Sequence, residues 1–335
     1  MEASGRALAC GLHKVDFSAE PRSNDGMTPA SEGLRGLAAM VLAAGFGTRL
    51  RPLTEELPKP LVPVGDRSVL AHVCDTLAAA GVGRAVVNAH HLAERYDRET
   101  LESLALPVTR VEERGEILGT AGGVAGAAAV LGDGPVVVHN GDILATVDLA
   151  TLIERQEASG AVATLAVGPR LAVGRGTVGL DGDGCVVRLR DHTFGTETHS
   201  GDFPGVQVIS ERGRERLPAI GCLVGDVYIP VLAEGGLVNA AEVVAAFSDV
   251  GTLAEYGEAN LAWLARRAAG SWVAPSADVG SEVELTQTVV GAGASVTGRG
   301  VVERCVVWPG ATLRAPASRI VATPGGRLVS WADPP

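Results

Sequence analysis

The sequence predicts an α/β protein built on a mostly parallel sheet, followed by a tail of repetitive construction. Two observations predict the sheet. From Leu37 onward, short apolar runs alternate with segments whose apolar residues recur every three or four positions. The runs are apolar on both faces, as strands covered on each side by helices must be. A third observation separates the tail: after Gly270, one small aliphatic residue recurs every five or six positions.

The elements follow in order. Leu37 to Ala43 reads as a buried strand ending in Gly45-Phe46-Gly47. Ser68 caps a helix carrying Val69, Leu70, Val73, Cys74 and Leu77, which Gly81 ends. The cycle repeats with strand 85–88, helix 92–104, strand 108–112, a small-residue helix 121–131 and strand 135–139. Helix 149–158 and strand 161–167 come next. Between Val173 and Gly213, Gly-Asp-Gly turns separate short Val-rich pieces and predict an antiparallel excursion. Helices resume at 226–233 and 253–267, the latter with Arg266 and Arg267 at the end where cations suit the dipole.

In the tail, the segment from Val283 aligns with that from Gly300 at an offset of 17 residues. Val273, Val279, Leu285, Val290, Val296, Val302, Val307 and Leu313 mark the shorter period. Each turn of three short strands would point one aliphatic side chain per strand into a narrow prism, and each coil would cover its neighbour's apolar face. The reading divides the chain into an extension over 1–36, expected to be disordered, a main domain over 37–268 and a repeat domain over 271–325. Met27 and Met40 are later candidate starts.

Composition narrows function. Among 335 residues, Lys and Arg total 28 against 39 Asp and Glu, a formal charge of −11 that offers no electrostatic footprint for duplex nucleic acid. Three tyrosines and five phenylalanines provide few stacking platforms for single strands. The five cysteines have neither knuckle nor redox-pair spacing, so free thiols in a reducing compartment are expected. No apolar run approaches the roughly 20 residues that span a bilayer, and the first residues lack a secretion signal. A cytoplasmic protein without a membrane partner is the expectation.

The segment Leu42 to Val64 is the most informative. Gly45 and Gly47, following a strand, let the backbone turn sharply and present N–H groups to phosphate oxygens. Thr48 adds a hydroxyl, and Arg49 and Arg51 add charge. Lys59 stands between Pro58 and Pro60, which restrict the backbone beneath its ammonium. A structural turn would explain the glycines but not the arginines and the proline-clamped lysine. Asp142 follows the apolar strand 135–139, at the strand end where open α/β sheets bind ligands. It is either a magnesium ligand or a helix cap, for which Asp148 is better placed. Asp249, just after an apolar run and just before the last long helix, could by itself be a turn or capping residue. His90 and His91 have no metal triad and read as neutral polar residues.

These pieces resemble a known signature. Leu42-Ala43-Ala44-Gly45, a variable Phe46, Gly47-Thr48-Arg49-Leu50, then Pro52-Leu53-Thr54 and Pro58-Lys59-Pro60-Leu61 reproduce in order the motif of nucleoside-diphosphate-sugar pyrophosphorylases, the sugar-1-phosphate nucleotidyltransferases. The resemblance extends over residues 38–268. The tail is similar to the hexapeptide-repeat attachment of mannose-1-phosphate guanylyltransferases. It implies a Rossmann-like mixed, mostly parallel sheet (the nucleotide-diphospho-sugar transferase fold) with a short C-terminal left-handed parallel β-helix.

By the same resemblance, Leu42, Ala43, Ala44, Gly45, Gly47, Thr48, Arg49 and Lys59 would surround the nucleotide, with Gly119, Thr120 and Gly122 against base and ribose. Arg49, Lys59 and Asp142 would be catalytic, and Asp142 and Asp249 would hold Mg2+. Asn88, Glu113, Arg190 and Gly205 would face the sugar phosphate, with a solvated Glu113 the competing reading. Phe203-Pro204-Gly205-Val206 resembles the sugar-pocket strand. One departure stands out: many relatives carry Glu-Lys before that strand, whereas this chain has Arg188-Leu189-Arg190-Asp191 and no lysine after Lys59. Arg188 or Arg190 would substitute, binding phosphate through a rigid fork.

The implied reaction joins a nucleoside triphosphate to a sugar 1-phosphate and releases pyrophosphate, with GTP and mannose 1-phosphate the leading pair. UTP or dTTP with glucose 1-phosphate, UTP with an amino-sugar 1-phosphate, a cytidylyl or molybdenum-cofactor type of transferase, and a non-catalytic regulatory subunit are the rival readings. A hexapeptide acyltransferase would need a histidine that the tail lacks. Self-association into a homo-oligomer is expected from the solenoid's exposed end.

Overall fold

The computed structural model describes residues 36–331. All but Gly36 of the expected extension, and Cys10 with it, lie outside the described residues. A seven-stranded sheet forms the centre, in the spatial order Val238–Glu242, Ala163–Val167, Val206–Ile209, Val136–Asn140, Ala38–Leu42, Arg84–Ala89 and Val108–Glu112. Pairings along it are parallel except at Val206–Ile209, which runs antiparallel to both neighbours. The sequence placed that strand inside the antiparallel excursion. Its four consecutive buried residues, Val206 to Ile209, are what a strand inside a two-faced sheet requires.

The strands alternate between two cores. Met40, Val86, Val136 and Val138 pack against Ala121, Val124, Leu131 and Val227 on one side. Ala39, Val41, Val87 and Val137 pack on the other against Leu70, Val73 and Leu77 of helix Val69–Ala79 and Leu149 and Leu152 of helix Leu149–Ser159. Both helices start as their sequences direct: Ser68 Oγ accepts from Ala71 N–H at 3.2 Å and Asp148 Oδ1 from Thr151 N–H at 3.1 Å. Such caps contribute about 1 kcal/mol each. The cap belongs to Asp148, which leaves the Asp142 carboxylate for other work.

Some expectations shift. The helix read over 92–104 is a 3-10 turn at Ala93–Arg95 and a short helix at Arg98–Glu102, because Asp97 caps a new start by accepting from Thr100 N–H. The small-residue helix breaks into Gly119–Gly126 and Ala128–Leu131. The excursion itself is a four-stranded antiparallel sheet of His192–Thr193, Val186–Leu189, Val178–Leu180 and His199–Gly201. Sequence periodicity did not reveal the arm in which Ile143–Val147 pairs antiparallel with Val244–Asp249.

The tail stacks parallel strands. Trp272, Val289 and Val306 succeed one another in register, as do Asp278, Ser295 and Thr312, each step 17 residues along the chain. Val283 pairs with Gly300, as the alignment required. The last step shortens to 15 residues, Val306 to Val321. Val290, Val296, Val302, Val307 and Leu313 are buried, while Val273 in the first coil is 39% exposed because nothing described stacks before it. At the other end, Ile320–Ala322 closes on Leu328–Ser330 in an antiparallel hairpin.

The tail shares a core with the main sheet's appendages. Leu50, Leu53, Val62 and Val64 of the glycine-rich segment pack with Tyr256 and Trp263 of helix Leu253–Arg266 and with Val307, Trp308 and Trp331. The Trp308 indole N–H donates to Tyr256 Oη at 2.8 Å, and Tyr256 Oη donates to Pro63 O at 2.6 Å. No helix among the described residues is long and apolar enough to cross a membrane.

Candidate active site

Parallel pairing brings the carboxyl ends of Ala38–Leu42, Arg84–Ala89 and Val136–Asn140 to one edge of the sheet, with Leu42 opposite Asn140. A cavity of about 240 Å3 opens there, lined by Leu42, Ala43, Ala44, Gly45, Lys59, Pro60, Asn88, Ile117, Gly119, Thr120, Asn140 and Asp142. Residues far apart in sequence thus share one cleft, as ligand sites in open α/β sheets do.

Lys59 reaches its deep wall. Its side chain is only 10% exposed, and its ammonium lies 2.5 Å from Asp142 Oδ2 and 3.5 Å from Asp249 Oδ1. The antiparallel arm makes this meeting possible: Ile143 pairs with Asp249, and Val250 N–H donates to Asp142 O at 3.0 Å. Burial holds the Asp249 carboxyl above its ordinary range, with the charges of Asp142 and Glu255 adding to the rise and Lys59 and Arg49 opposing it. A Cβ on Gly251 would lie 2.8–3.0 Å from Glu255 Oε2, Arg49 Nη2 and Asp249 Oδ1, so Arg49 completes the charged cluster from the exposed side.

The two carboxylates fit a divalent ion. They already converge on a single cationic point, and both supply hard oxygen donors. Among the described residues, no group of three or more His, Cys, Asp and Glu side chains gathers as a metal cage. Further ligands would therefore be substrate oxygens and water, the way Mg2+ is commonly held.

The glycine turn is shaped by contact. Gly47 adopts φ +60°, and a Cβ there would stand 2.8 Å from Thr54 Cγ2 and 3.3 Å from Lys59 Cβ. Thr54 Oγ1 donates to Gly47 O at 2.9 Å. Thr48 and Arg49 lie in the 3-10 turn that follows, exposed at the mouth. His90 Nδ1 donates to Glu113 O and His91 Nε2 to Thr54 O, so both imidazoles serve as local ties.

Asn88 lines the cleft, and Glu113 stands behind it. Asn88 Oδ1 accepts from Ala43 N–H at 2.7 Å, and its amide donates to Glu113 Oε1 at 2.6 Å. Glu113 Oε2 accepts from Leu118 N–H at 2.9 Å, which ties the loop before Gly119 to the same network. A Cβ on Gly123 would come within 2.7 Å of the Asn88 amide, so a residue without one is needed there. Glu113, 5% exposed, is neither solvated nor on the cavity wall. Gly122 likewise faces away, toward Ala219 O. Gly205 O accepts from Asn140 N–H at 3.1 Å, beside the cleft.

The candidate phosphate arginines are placed differently from each other. Arg188 donates to Glu197 Oε2 at 2.7 Å and to Gly176 O at 2.9 Å, and this Arg188 partnership leads the causes that bring the Glu197 pKa down to about 2. Arg190 lies 3.2 Å from Cys222 Sγ. Cys222 borders the cleft at one remove, because the adjoining Leu223 N–H donates to Thr120 Oγ1 at 2.8 Å. Burial alone would raise this thiol's pKa, yet donors from Gly225, Val224, Thr120 and Arg190 bring it below its usual value. The spacing of Cys222 in the sequence carried no sign of this neighbourhood. His139, behind the Asp142 turn, donates from Nδ1 to Asn140 O, and burial lowers its pKa to about 4.

A glycine turn, a lysine and two carboxylates thus meet at the carboxyl end of a parallel sheet, where open α/β sheets bind ligands. Residues 38–191 match the nucleotidyl transferase family. The chain is similar to N-acetylmuramate alpha-1-phosphate uridylyltransferase of Caulobacter vibrioides, 47% identical over 109 residues, 31% of this chain and 45% of that protein. It is 36% identical over 129 residues to mannose-1-phosphate guanylyltransferase of Mycobacterium tuberculosis, 38% of this chain and 36% of that one. UTP–glucose-1-phosphate uridylyltransferase of Synechocystis is 29% identical over 254 residues, 69% and 64% of the two chains. Each match thus spans less than two thirds of the curated relative. In fold, the chain is similar to HddC from Yersinia pseudotuberculosis complexed with GMP-PN, at a TM-score of 0.56 and 21% identity over 68% of this chain and 99% of that one. The family match covers just under half of the chain, and several mannose-1-phosphate guanylyltransferases are among the proteins it is similar to.

Proposed function

We propose that this protein transfers a nucleoside monophosphate from a nucleoside triphosphate to a sugar 1-phosphate, forming a nucleoside diphosphate sugar and pyrophosphate. The observation that carries the reading is the convergence of Lys59, Asp142 and Asp249 at the cleft formed by Leu42 to Gly45. An oxygen of the sugar 1-phosphate attacks the α-phosphorus in line; the new P–O bond forms as the bond to pyrophosphate breaks. Two anions must meet, so positioning and charge neutralisation supply the acceleration and no protein nucleophile is needed. Lys59 and Arg49 stabilise charge on the transferring group and on the departing pyrophosphate. Asp142 and Asp249 would hold Mg2+, which when bound neutralises phosphate oxygens. The backbone of Leu42 to Gly47 and of Gly119 and Thr120 seats the nucleotide. Asn88 shapes the sugar side, with Glu113 orienting it from behind.

GTP with mannose 1-phosphate is the leading pair, supported by the guanylyltransferase relatives and by the repeat tail, read here as a short left-handed β-helix over 271–325 attached to a catalytic domain over 37–268. UTP with an amino-sugar 1-phosphate is the second reading. It is favoured by the 47% identity to the Caulobacter uridylyltransferase over 109 residues. A matrix of four triphosphates against mannose, glucose, N-acetylglucosamine and N-acetylmuramate 1-phosphates, scored by magnesium-dependent pyrophosphate release, decides between them. No release with any pair would leave the regulatory-subunit reading and that of a transferase for a non-sugar substrate.

A further inference from the structure

We infer that the closing hairpin of the tail, which spans Ile320–Ala322 and Leu328–Ser330, positions the Lys59 loop by gripping Glu56. Thr323 and Arg327 then act as positioning residues for the reaction proposed above, on which this inference rests for its chemistry. The Glu56 carboxylate receives two hydrogen bonds and one ion pair from this one turn. Thr323 Oγ1 donates at 2.6 Å, Gly325 N–H at 3.1 Å, and Arg327 Nε lies 3.2 Å away. Arg327 also meets Glu55 at 2.8 Å. The grip is built: Thr323 is 1% exposed, and a Cβ on Gly325 would stand 2.6 Å from Glu56 Oε1.

Glu56 is three residues before Lys59, and the intervening path runs through Pro58, whose ring fixes φ. A shift of Glu56 therefore passes to Lys59 with little slack. Upstream, Thr54 is tied to Gly47 O, so the same grip reaches the phosphate turn. Downstream, Pro63 O and Gly65 N–H are held by Tyr256 Oη and Asn260 Oδ1. Lys59 thus projects from the middle of a span pinned at both ends, one pin belonging to the tail hairpin. A carboxylate with so many donors serves stability on any account. What distinguishes positioning is that losing a donor slows turnover in protein that remains folded.

Thr323→Val removes the hydroxyl while keeping its shape, and Thr323→Ser restores it. The expected result is a fall in kcat on the order of tenfold for Thr323→Val and for Glu56→Gln, with KM for the triphosphate changed less than about threefold. Thr323→Ser recovers near-normal kcat. Trypsin reads loop placement without any turnover. Lys59 and Arg51 precede prolines and resist cleavage, so Arg49 is the cut site in this span, and cutting there should rise about fivefold in Thr323→Val. Wild-type kcat and wild-type cleavage at Arg49 in Thr323→Val would overturn the inference, even if its unfolding midpoint falls. Absence of pyrophosphate release by the wild type would instead sink the nucleotidyl-transfer reading, and cleavage at Arg49 would still decide the grip.

Discussion

The ammonium of Lys59 and the carboxylate of Asp142 lie 2.5 Å apart, in a contact that Asp249 joins at 3.5 Å. One buried positive charge thereby serves two partly exposed negative ones. A divalent ion held by both carboxylates would take the place that the Lys59 ammonium fills.

That exchange predicts a competition. Lys59→Met removes the resident cation and leaves two facing carboxylates, so nucleotide-free protein should bind Mn2+ about tenfold more tightly than wild type, as a like-charge pair gains more from a divalent ion. Isothermal titration calorimetry measures it. Equal or weaker binding in the variant would mean that lysine and metal do not share the carboxylates.

Asp249 predicts a trade of stability against activity. Burial raises its folded pKa above the ordinary 3.8. The folded state then holds that proton more tightly than the unfolded state, so ionising Asp249 costs stability as pH rises through the interval above 3.8. Asp249→Asn should melt no lower than wild type at pH 7, with the difference vanishing below pH 3.8, while turnover is lost. A variant markedly less stable at neutral pH would reverse this sign.

Asn88 is predicted to matter for fold and site together. Asn88→Ala strands the Ala43 N–H and one oxygen of Glu113 inside the protein, at a cost of about 3 kcal/mol. Urea unfolding should show that loss, accompanied by a raised KM for nucleotide because Ala43 belongs to the cleft wall. Unchanged stability would mean that water replaces the amide without penalty.

Arg188 is predicted to be structural. Its partner Glu197 has a pKa of about 2, so the pair supports the fold above the normal carboxylate range and is lost only as pH falls toward 2. Arg188→Met removes the counter-charge of Glu197, leaving Gly174 N–H and Ser200 Oγ as its donors, and should cost about 3 kcal/mol, with little change in KM for the sugar 1-phosphate. A large rise in that KM at unchanged stability would make Arg188 a phosphate ligand instead.

Much of this was legible in the sequence because its signals are local or periodic. Ser68 and Asp148 announced their caps, and the 17-residue offset announced the stacked strands. Spacing around Gly45, Gly47 and Lys59 pointed to a phosphate site, and the fold brings Gly45 and Lys59 to one cleft. What it could not announce depends on distant pairing. Nothing near Ile143 or Val244 shows that they form one arm, and that arm is what brings Asp249 beside Asp142. Glu113 read as a sugar contact or a solvated acid, and only the folded sheet engages both its oxygens with Asn88 and Leu118. The same holds for Glu56, a surface-like acid in sequence that meets Thr323 across 267 residues.

The central claim is that Lys59 works with two carboxylates to let anionic substrates react. Its most direct test is magnesium-dependent pyrophosphate release by Lys59→Ala, using the substrate pair that wild type accepts. The account predicts a fall in kcat of about two to four orders of magnitude in protein with a native circular-dichroism spectrum. Release within a few-fold of wild type would contradict it.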